Sequence, residues 1–288
     1  MPYIVKKNIL KKVLKPRFKE SHKYDFGYLL VIGGSKLYSG SPALASLAAL
    51  RTGVDLVLTI APQRAADIIA SFSPNLIAYS LSGSDLEKKH LPELLSLTES
   101  AKKVSRDNAA FLIGGGLGRD DGAKESVIEY LLKVDIPGVI DADGIWAVAN
   151  KKEILKKKPF ILTPHSYEFY IFSGKDVSEM SLEEKIKTVE KTARDFETTI
   201  LLKGNPDIIT NGKETFLNET GCPEMTVGGT GDTLAGICGA LLAQKINPLE
   251  AACGASFING KAGEFAKKKY GISLLATDLI EEIPNVLK

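Results

Sequence analysis

The chain has 288 residues, 44% of them apolar, and its 37 basic and 35 acidic residues leave a net charge of +2. That length supplies core for one large α/β domain or two small ones. So even a charge excludes a strong field for nucleic acid or a membrane surface, and neither is expected as a partner. No apolar run approaches the roughly 18 residues of a membrane span, and the N-terminal region has no hydrophobic signal core. The three cysteines, Cys222, Cys238 and Cys253, are odd in number and lack metal-ligand spacing. A reducing cytoplasm is therefore the expected setting. Cys238 and Cys253 fall in apolar helical stretches, which leaves Cys222, in a loop, as the candidate reactive thiol.

In chain order, a Lys- and Arg-rich arm over residues 1–20 comes first and is expected to be solvated. Short β-rich runs then alternate with helical patterns. Strands are expected at 28–32, 56–60, 110–113, 138–140, 160–162 and 199–202, and helices at 42–51, 64–70, 123–133, 145–150 and 182–196. This alternation predicts an α/β fold, a mostly parallel central sheet with helices on both faces. Beyond Lys203 the pattern changes. Runs at 207–210 and 214–217 flank Asn211-Gly212, the signal of an antiparallel hairpin, and helices at 230–244, 248–268 and 277–286 follow. With no linker or repeat in view, residues 21–288 read as a single domain.

Ligands of such sheets bind beyond the carboxyl ends of the strands, and there the glycine-rich loops fall. Gly33-Gly34-Ser35 opens a long loop that closes at Gly40-Ser41-Pro42-Ala43 before a small-residue helix; it lacks the Gly-Lys-Ser/Thr ending of a P-loop. Gly114-Gly115-Gly116-Leu117-Gly118 fails the dinucleotide spacing, but four glycines in five positions carry an entropic cost that a plain turn need not incur. Asp141-Ala142-Asp143-Gly144 ends a buried strand. Asp143 either caps the next helix or meets a metal-bound phosphate or substrate hydroxyl. Thr163-Pro164-His165-Ser166-Tyr167-Glu168 carries one of three histidines, with no triad spacing around it. Lys203-Gly204-Asn205-Pro206-Asp207 is either a strand-to-hairpin turn or a phosphate-holding lysine beside a flat backbone.

The most informative run is Thr226-Val227-Gly228-Gly229-Thr230-Gly231-Asp232-Thr233, at the start of an apolar helix. Unpaired N–H groups and a partial positive charge make a helix start attractive to anions. Gly228, Gly229, Thr230 and Gly231 form the candidate anion hole. Asp232 is explained as a cap, but capping does not account for the glycines around it. The sharper reading makes Asp232 a base for a hydroxyl attacking a phosphate.

This loop resembles the Gly-Thr-Gly-Asp signature of the ribokinase-like superfamily. Taken with Ser21-His22-Lys23, Gly33-Gly34-Ser35, the 40–45 helix start, Gly114 to Gly118, Asp141 to Gly144, Thr163-Pro164-His165 and Lys203-Gly204, the set is similar to one branch of it: the ADP/ATP-dependent NAD(P)H-hydrate dehydratases. The resemblance implies a three-layer sandwich, and nucleotide-dependent dehydration of hydrated NADH or NADPH back to the reduced cofactor. It implies ADP or ATP as phosphoryl donor, with Mg²⁺. Ala43, Gly118, His165 and Asp232 would contact the hydrate. Lys203, Gly204, Asn205, Pro206, Asp207 and Gly231 would contact the adenine nucleotide, and Asp232 would be catalytic. No metal ligands are assigned. The family's His-Pro-Gly-Glu is His165-Ser166-Tyr167-Glu168 here, its Lys-Gly-x-x-Thr ends in Asp207, and its Gly-Asn-Pro is Gly221-Cys222-Pro223. A homotetramer and a separate hydrate epimerase in the same pathway are further expectations, the epimerase domain often fused ahead of this one being expected to be absent. A small-molecule kinase of vitamins or sugars would use the same site, and a non-catalytic nucleotide sensor would retain the same loops.

Overall fold

Residues 2–288 are described by a computed structural model, and ten stretches among them pair into one sheet. The strands are β1 (Tyr3–Ile4), β2 (Tyr28–Ile32), β3 (Leu56–Pro62), β4 (Ile77–Leu81), β5 (Ala109–Ile113), β6 (Gly138–Ile140), β7 (Phe160–Leu162), β8 (Thr199–Leu202), β9 (Asp207–Thr210) and β10 (Thr215–Asn218). Their order is β1-β10-β9-β8-β7-β6-β5-β2-β3-β4. Every pairing from β4 across to β8 is parallel, while β9 is antiparallel to both β8 and β10. The hairpin expected around Asn211-Gly212 is thus present, at the end of a parallel sheet.

Helices cover both faces: α1 (Leu10–Val13), α2 (Gly40–Arg51), α3 (Gln63–Phe72), α4 (Leu91–Val104), α5 (Asp121–Lys133), α6 (Asp143–Val148), α7 (Ser166–Ser173), α8 (Leu182–Asp195), α9 (Thr230–Ala243), α10 (Pro248–Tyr270) and α11 (Ala276–Leu287). Side chains alternate across a strand, and here both sides are apolar. Leu29 and Val31 pack into one core with α2, α9, α10 and α11; Leu30 and Ile32 pack into the other with α4 to α8. Burial on both faces is why these strands read as continuous apolar runs.

Beyond β1 and α1, two elements were not anticipated from the sequence, and a third was marked only by Glu168 as a candidate cap of a helix start. β4 is an edge strand with only Leu81 of its five residues buried, so it lacks the continuous apolar run of the inner strands. α4 carries Pro92, which reads as a breaker but sits in the first turn, where no intrahelical N–H is needed. α7 is aromatic-rich and strand-like in composition, and a reciprocal cap between His165 and Glu168 starts it as a helix.

The basic segment ahead of the domain is not the solvated arm its composition suggests. β1 pairs in parallel with β10, Leu10 and Val13 are buried, and Arg17 bonds Asp55 at 2.7 Å while covering the ring of Phe26. Lys15 Nζ donates to the Gln244 carbonyl, while the other lysines of the segment remain on the surface and the apolar positions between them dock. Among the described residues no helix is long and apolar enough to cross a membrane.

Candidate active site

Two helices meet closely because both are built from small residues at the crossing. A Cβ on Gly236 of α9 would lie 2.1 Å from the Ala45 carbonyl oxygen of α2, so only glycine admits that approach. Four residues before each of these, one helical turn towards the strand ends, stand Asp232 and Ser41. The crossing therefore sets them side by side, and Ser41 Oγ donates to Asp232 Oδ1. Gly115 completes the junction: a Cβ there would meet Ser41 Oγ at 2.2 Å. Gly33, Ser41, Gly115, Asp141 and Asp232 line one small recess of about 220 Å³.

α9 starts at Gly229, whose φ of 99° lies in the left-handed region, and no side chain caps its first turn. Thr230 and Thr233 turn their hydroxyls away from the mouth, to the Met225 carbonyl and to Asn259. The amides of the 228–231 run thus stay available on the open side. A Cβ on Gly228 would touch nothing within 4 Å, and one on Gly231 only the Lys203 ammonium, at 3.4 Å.

Lys203 ends β8 with its side chain largely covered, and its Nζ lies 3.2 Å from Asp141 Oδ1 and 3.6 Å from Glu168 Oε2. Burial works against its charge, but Asp141 and Glu168 outweigh it and hold the ammonium above its ordinary pKa. Asp141 also accepts from Thr163 Oγ1 at 2.8 Å. Asp232 faces this cluster. Burial first, and then the Asp141 charge, push its carboxyl up to about 6, against the downward pull of the Ser41 hydrogen bond and Lys203. A carboxylate poised there is ionised at neutral pH yet basic enough to accept a proton.

The acidic loop divides its two aspartates. Ala142 takes a positive φ of 47°, turning Asp141 into the cluster and Asp143 the other way. Asp143 opens α6 rather than capping it; it accepts from the Gly118 N–H at 3.0 Å and pairs with Arg119 Nε at 2.8 Å. His165 is half exposed and its Nε2 lies 3.4 Å from Glu168 Oε1. Its Nδ1 accepts from the Tyr167 and Glu168 amides, which places the neutral-ring proton on Nε2. The side chain of Ala43 is buried against Ala61, Ala65 and Ile69 of the α2–α3 packing and does not face the recess.

Lys203, Gly204, Asn205 and Pro206 line a separate cleft of about 670 Å³, with Ser166, Leu182 and Lys185 on the far wall. Asp207 turns inward instead, accepting from Gly204 N–H at 2.9 Å and from Ser256 Oγ and Asn218 Nδ2. It shapes the loop and does not present its carboxylate to the cleft; burial raises its pKa. Cys222 is not an activated thiol either, since burial and the neighbouring Glu224 raise its pKa. The site thus has an uncapped helix start, a poised acid beside it, a buried lysine and a cleft that shares that lysine.

The sequence description of NAD(P)H-hydrate dehydratases matches residues 29–285. The chain belongs to that family. An ADP-dependent (S)-NAD(P)H-hydrate dehydratase of Nitrosopumilus maritimus is 40% identical over 281 residues, covering 97% of this chain and 95% of that protein. A bifunctional NAD(P)H-hydrate repair enzyme of Pyrobaculum aerophilum is also 40% identical over 94% of this chain, which spans about half (52%) of that longer relative. The structure of the Bacillus subtilis ADP/ATP-dependent NAD(P)H-hydrate dehydratase, co-crystallised with ATP and Mg²⁺, superposes with a TM-score of 0.79 at 25% identity, covering 99% of this chain and 97% of that one. The ribokinase-like fold expected from the sequence is the one observed: the structure of Thermotoga maritima ribokinase superposes with a TM-score of 0.60 at 16% identity, a likeness of fold alone.

Within this dehydratase-family site, sequence reasoning did not give Ser41 or Glu168 a place in the charged cluster, nor Asp141 a specific partner. Asp141 stood in a motif already singled out, so its strand-end position was a usable signal. The approach of Ser41 to Asp232 depends on the α2–α9 crossing, for which Gly236 and Ala45 are the only trace in the sequence.

Proposed function

We propose that the chain is an ADP-dependent dehydratase of hydrated NADH and NADPH, a metabolite-repair enzyme. The observation that carries this is Asp232, raised to about 6, at the mouth of the uncapped glycine-rich start of α9. The hydrate's ring hydroxyl is a poor leaving group. Asp232 takes its proton as the oxygen attacks the terminal phosphoryl of the donor. The 228–231 amides and the Lys203 charge stabilise the negative charge that develops on the transferring group. The ring nitrogen then expels phosphate, breaking the C6–O bond, and the resulting iminium gives up its C5 proton to solvent; this yields NADH or NADPH, with AMP and phosphate as the other products when ADP is the donor.

The donor's adenosine part fits the 203–206 cleft, from which its phosphates reach towards Lys203 and the α9 start. ADP is favoured over ATP by the ADP dependence in the names of the archaeal relatives. Among the described residues no three His, Cys, Asp or Glu side chains converge as a metal site. Mg²⁺ suits such a place because it is usually held through substrate phosphates and one or two carboxylates. Asp141 is the carboxylate placed to share it, and the ion would neutralise phosphate charge. The (S) specificity in the relatives' names supports a separate epimerase acting on the other hydrate epimer.

Purified protein is incubated with hydrated NADH, Mg²⁺ and either ADP or ATP while the dihydronicotinamide absorption band is followed. Return of the band with ADP, its absence without nucleotide, and its near loss in Asp232→Asn are expected. A stable phosphorylated vitamin or sugar, with no return of the band, would replace this reading by a kinase.

A further inference from the structure

At the start of α7 stands a row of planar groups. Arg119 lies over the Trp146 ring at 3.9 Å, Trp146 meets Tyr167 at 5.9 Å between centroids, and Tyr167 meets Tyr170 at 6.2 Å. The row is anchored to residues already placed at the strand ends. Asp143 holds both Arg119 and the Gly118 amide, and the Tyr167 amide donates to His165. Only Nε of Arg119 is used in that pairing. Among the described residues its two Nη groups make no hydrogen bond or ion pair, and the side chain is 54% exposed. Tyr167 is 57% exposed.

A guanidinium fixed by its Nε and stacked on an indole presents its remaining donors in a set direction, which suits a phosphate. An exposed, tilted tyrosine beside it suits a base stacked on its face. Neither is explained by packing, since half-exposed aromatic and guanidinium groups contribute little to a core. The α7 start therefore has two flanks: Ser166 lines the 203–206 cleft, and Tyr167 faces Trp146 and Arg119.

Resting on the dehydratase reading, we propose that Arg119, Trp146 and Tyr167 form the subsite for the non-reacting half of the hydrated dinucleotide, Arg119 taking a phosphate and Tyr167 stacking on the adenine. The phosphate is either the bridging pyrophosphate, common to both cofactors, or the ribose 2′-phosphate, present in NADPH alone.

KM and kcat are measured at saturating ADP for hydrated NADH, hydrated NADPH and the hydrated reduced nicotinamide mononucleotide, which lacks the adenylyl half. In Tyr167→Ala, KM for the dinucleotides should rise about tenfold relative to KM for the mononucleotide, the size of one base–aromatic stack, with kcat little moved. Tyr167→Phe should restore it. Arg119→Ala should raise KM for both dinucleotides if the pyrophosphate is held, and for the NADPH hydrate alone if the 2′-phosphate is. Equal KM changes for dinucleotide and mononucleotide in Tyr167→Ala, or unchanged dinucleotide KM in Arg119→Ala, overturn the subsite. A wild-type protein inactive on all three hydrates would instead defeat the dehydratase reading, and the subsite with it. Melting temperatures equal to wild type show that the variants fold.

Discussion

Ser41 Oγ donates to the Asp232 carboxylate from a helix 191 positions away in sequence, first turn to first turn. The contact opposes the two influences that raise the Asp232 pKa, burial and the Asp141 charge. Removing the hydroxyl leaves those influences unopposed. In Ser41→Ala the base should therefore titrate above its present value of about 6. The acid limb of the kcat profile moves to higher pH, so the deficit is largest on the acid side and shrinks towards pH 8. A profile that falls uniformly at all pH values would assign Ser41 a packing role only.

Asp232 itself sets activity against stability. Its folded carboxyl holds a proton up to about pH 6, whereas its ordinary value is 3.8. Between those values the folded state binds more protons than the unfolded one, so stability falls as pH rises through the window. Above about 6 the whole cost is present, on the order of 3 kcal/mol. The isosteric Asp232→Asn removes that cost while keeping an acceptor for Ser41. It should lose about a hundred- to ten-thousand-fold in kcat yet unfold at higher urea than wild type at pH 7. The gain should shrink as pH is lowered to 4. A variant less stable than wild type at neutral pH would mean that the ionised carboxylate is stabilised by its surroundings.

Much of this arrangement was legible in the sequence because two-sided burial makes parallel strands read as apolar runs, and because several of the runs stop at Gly, Asp or Thr-Pro. Leu30 and Ile32, between Leu29 and Val31, show the first signal, and Gly114 and Asp141 the second. Legibility ended where a local pattern was overruled or where tertiary contact decided. Ser166–Ser173 has strand-like composition, and the His165–Glu168 cap makes it a helix. The inward turn of Asp207 depends on Ser256 and Asn218, which lie in other elements. Ala43 matched a family position by sequence, but the α2–α3 packing hides its side chain. Spacing along the chain carries no information about any of these.

Lys203 links the two buried acids that flank the site. Asp141 and Glu168 have 5% and 8% of their side chains exposed, and the Lys203 ammonium is the counter-charge within 4 Å of both. Replacing it by methionine keeps the stem and removes the charge. Lys203→Met should cost about 3–5 kcal/mol of unfolding free energy, because two carboxylates are left uncompensated. Adding Asp141→Asn should recover part of that loss, so the double variant is more stable than the sum of the two single changes. Strict additivity in urea unfolding would show that the three groups are not energetically coupled.

Gly115 tests whether the junction of loop and helices serves chemistry or folding. Its backbone is not in the left-handed region, so alanine introduces no φ penalty. The added Cβ would instead lie 2.2 Å from Ser41 Oγ and 3.3 Å from Asp232 Oδ1. Serine can turn its hydroxyl to another rotamer at a cost of about 1 kcal/mol, and that turn gives up the bond to Asp232. Gly115→Ala should therefore unfold close to the wild-type midpoint but show the upward-shifted acid limb of Ser41→Ala. Combining the two substitutions should add little to either, because both remove the same contact. A large drop in stability with an unmoved pH profile would instead make Gly115 a packing glycine.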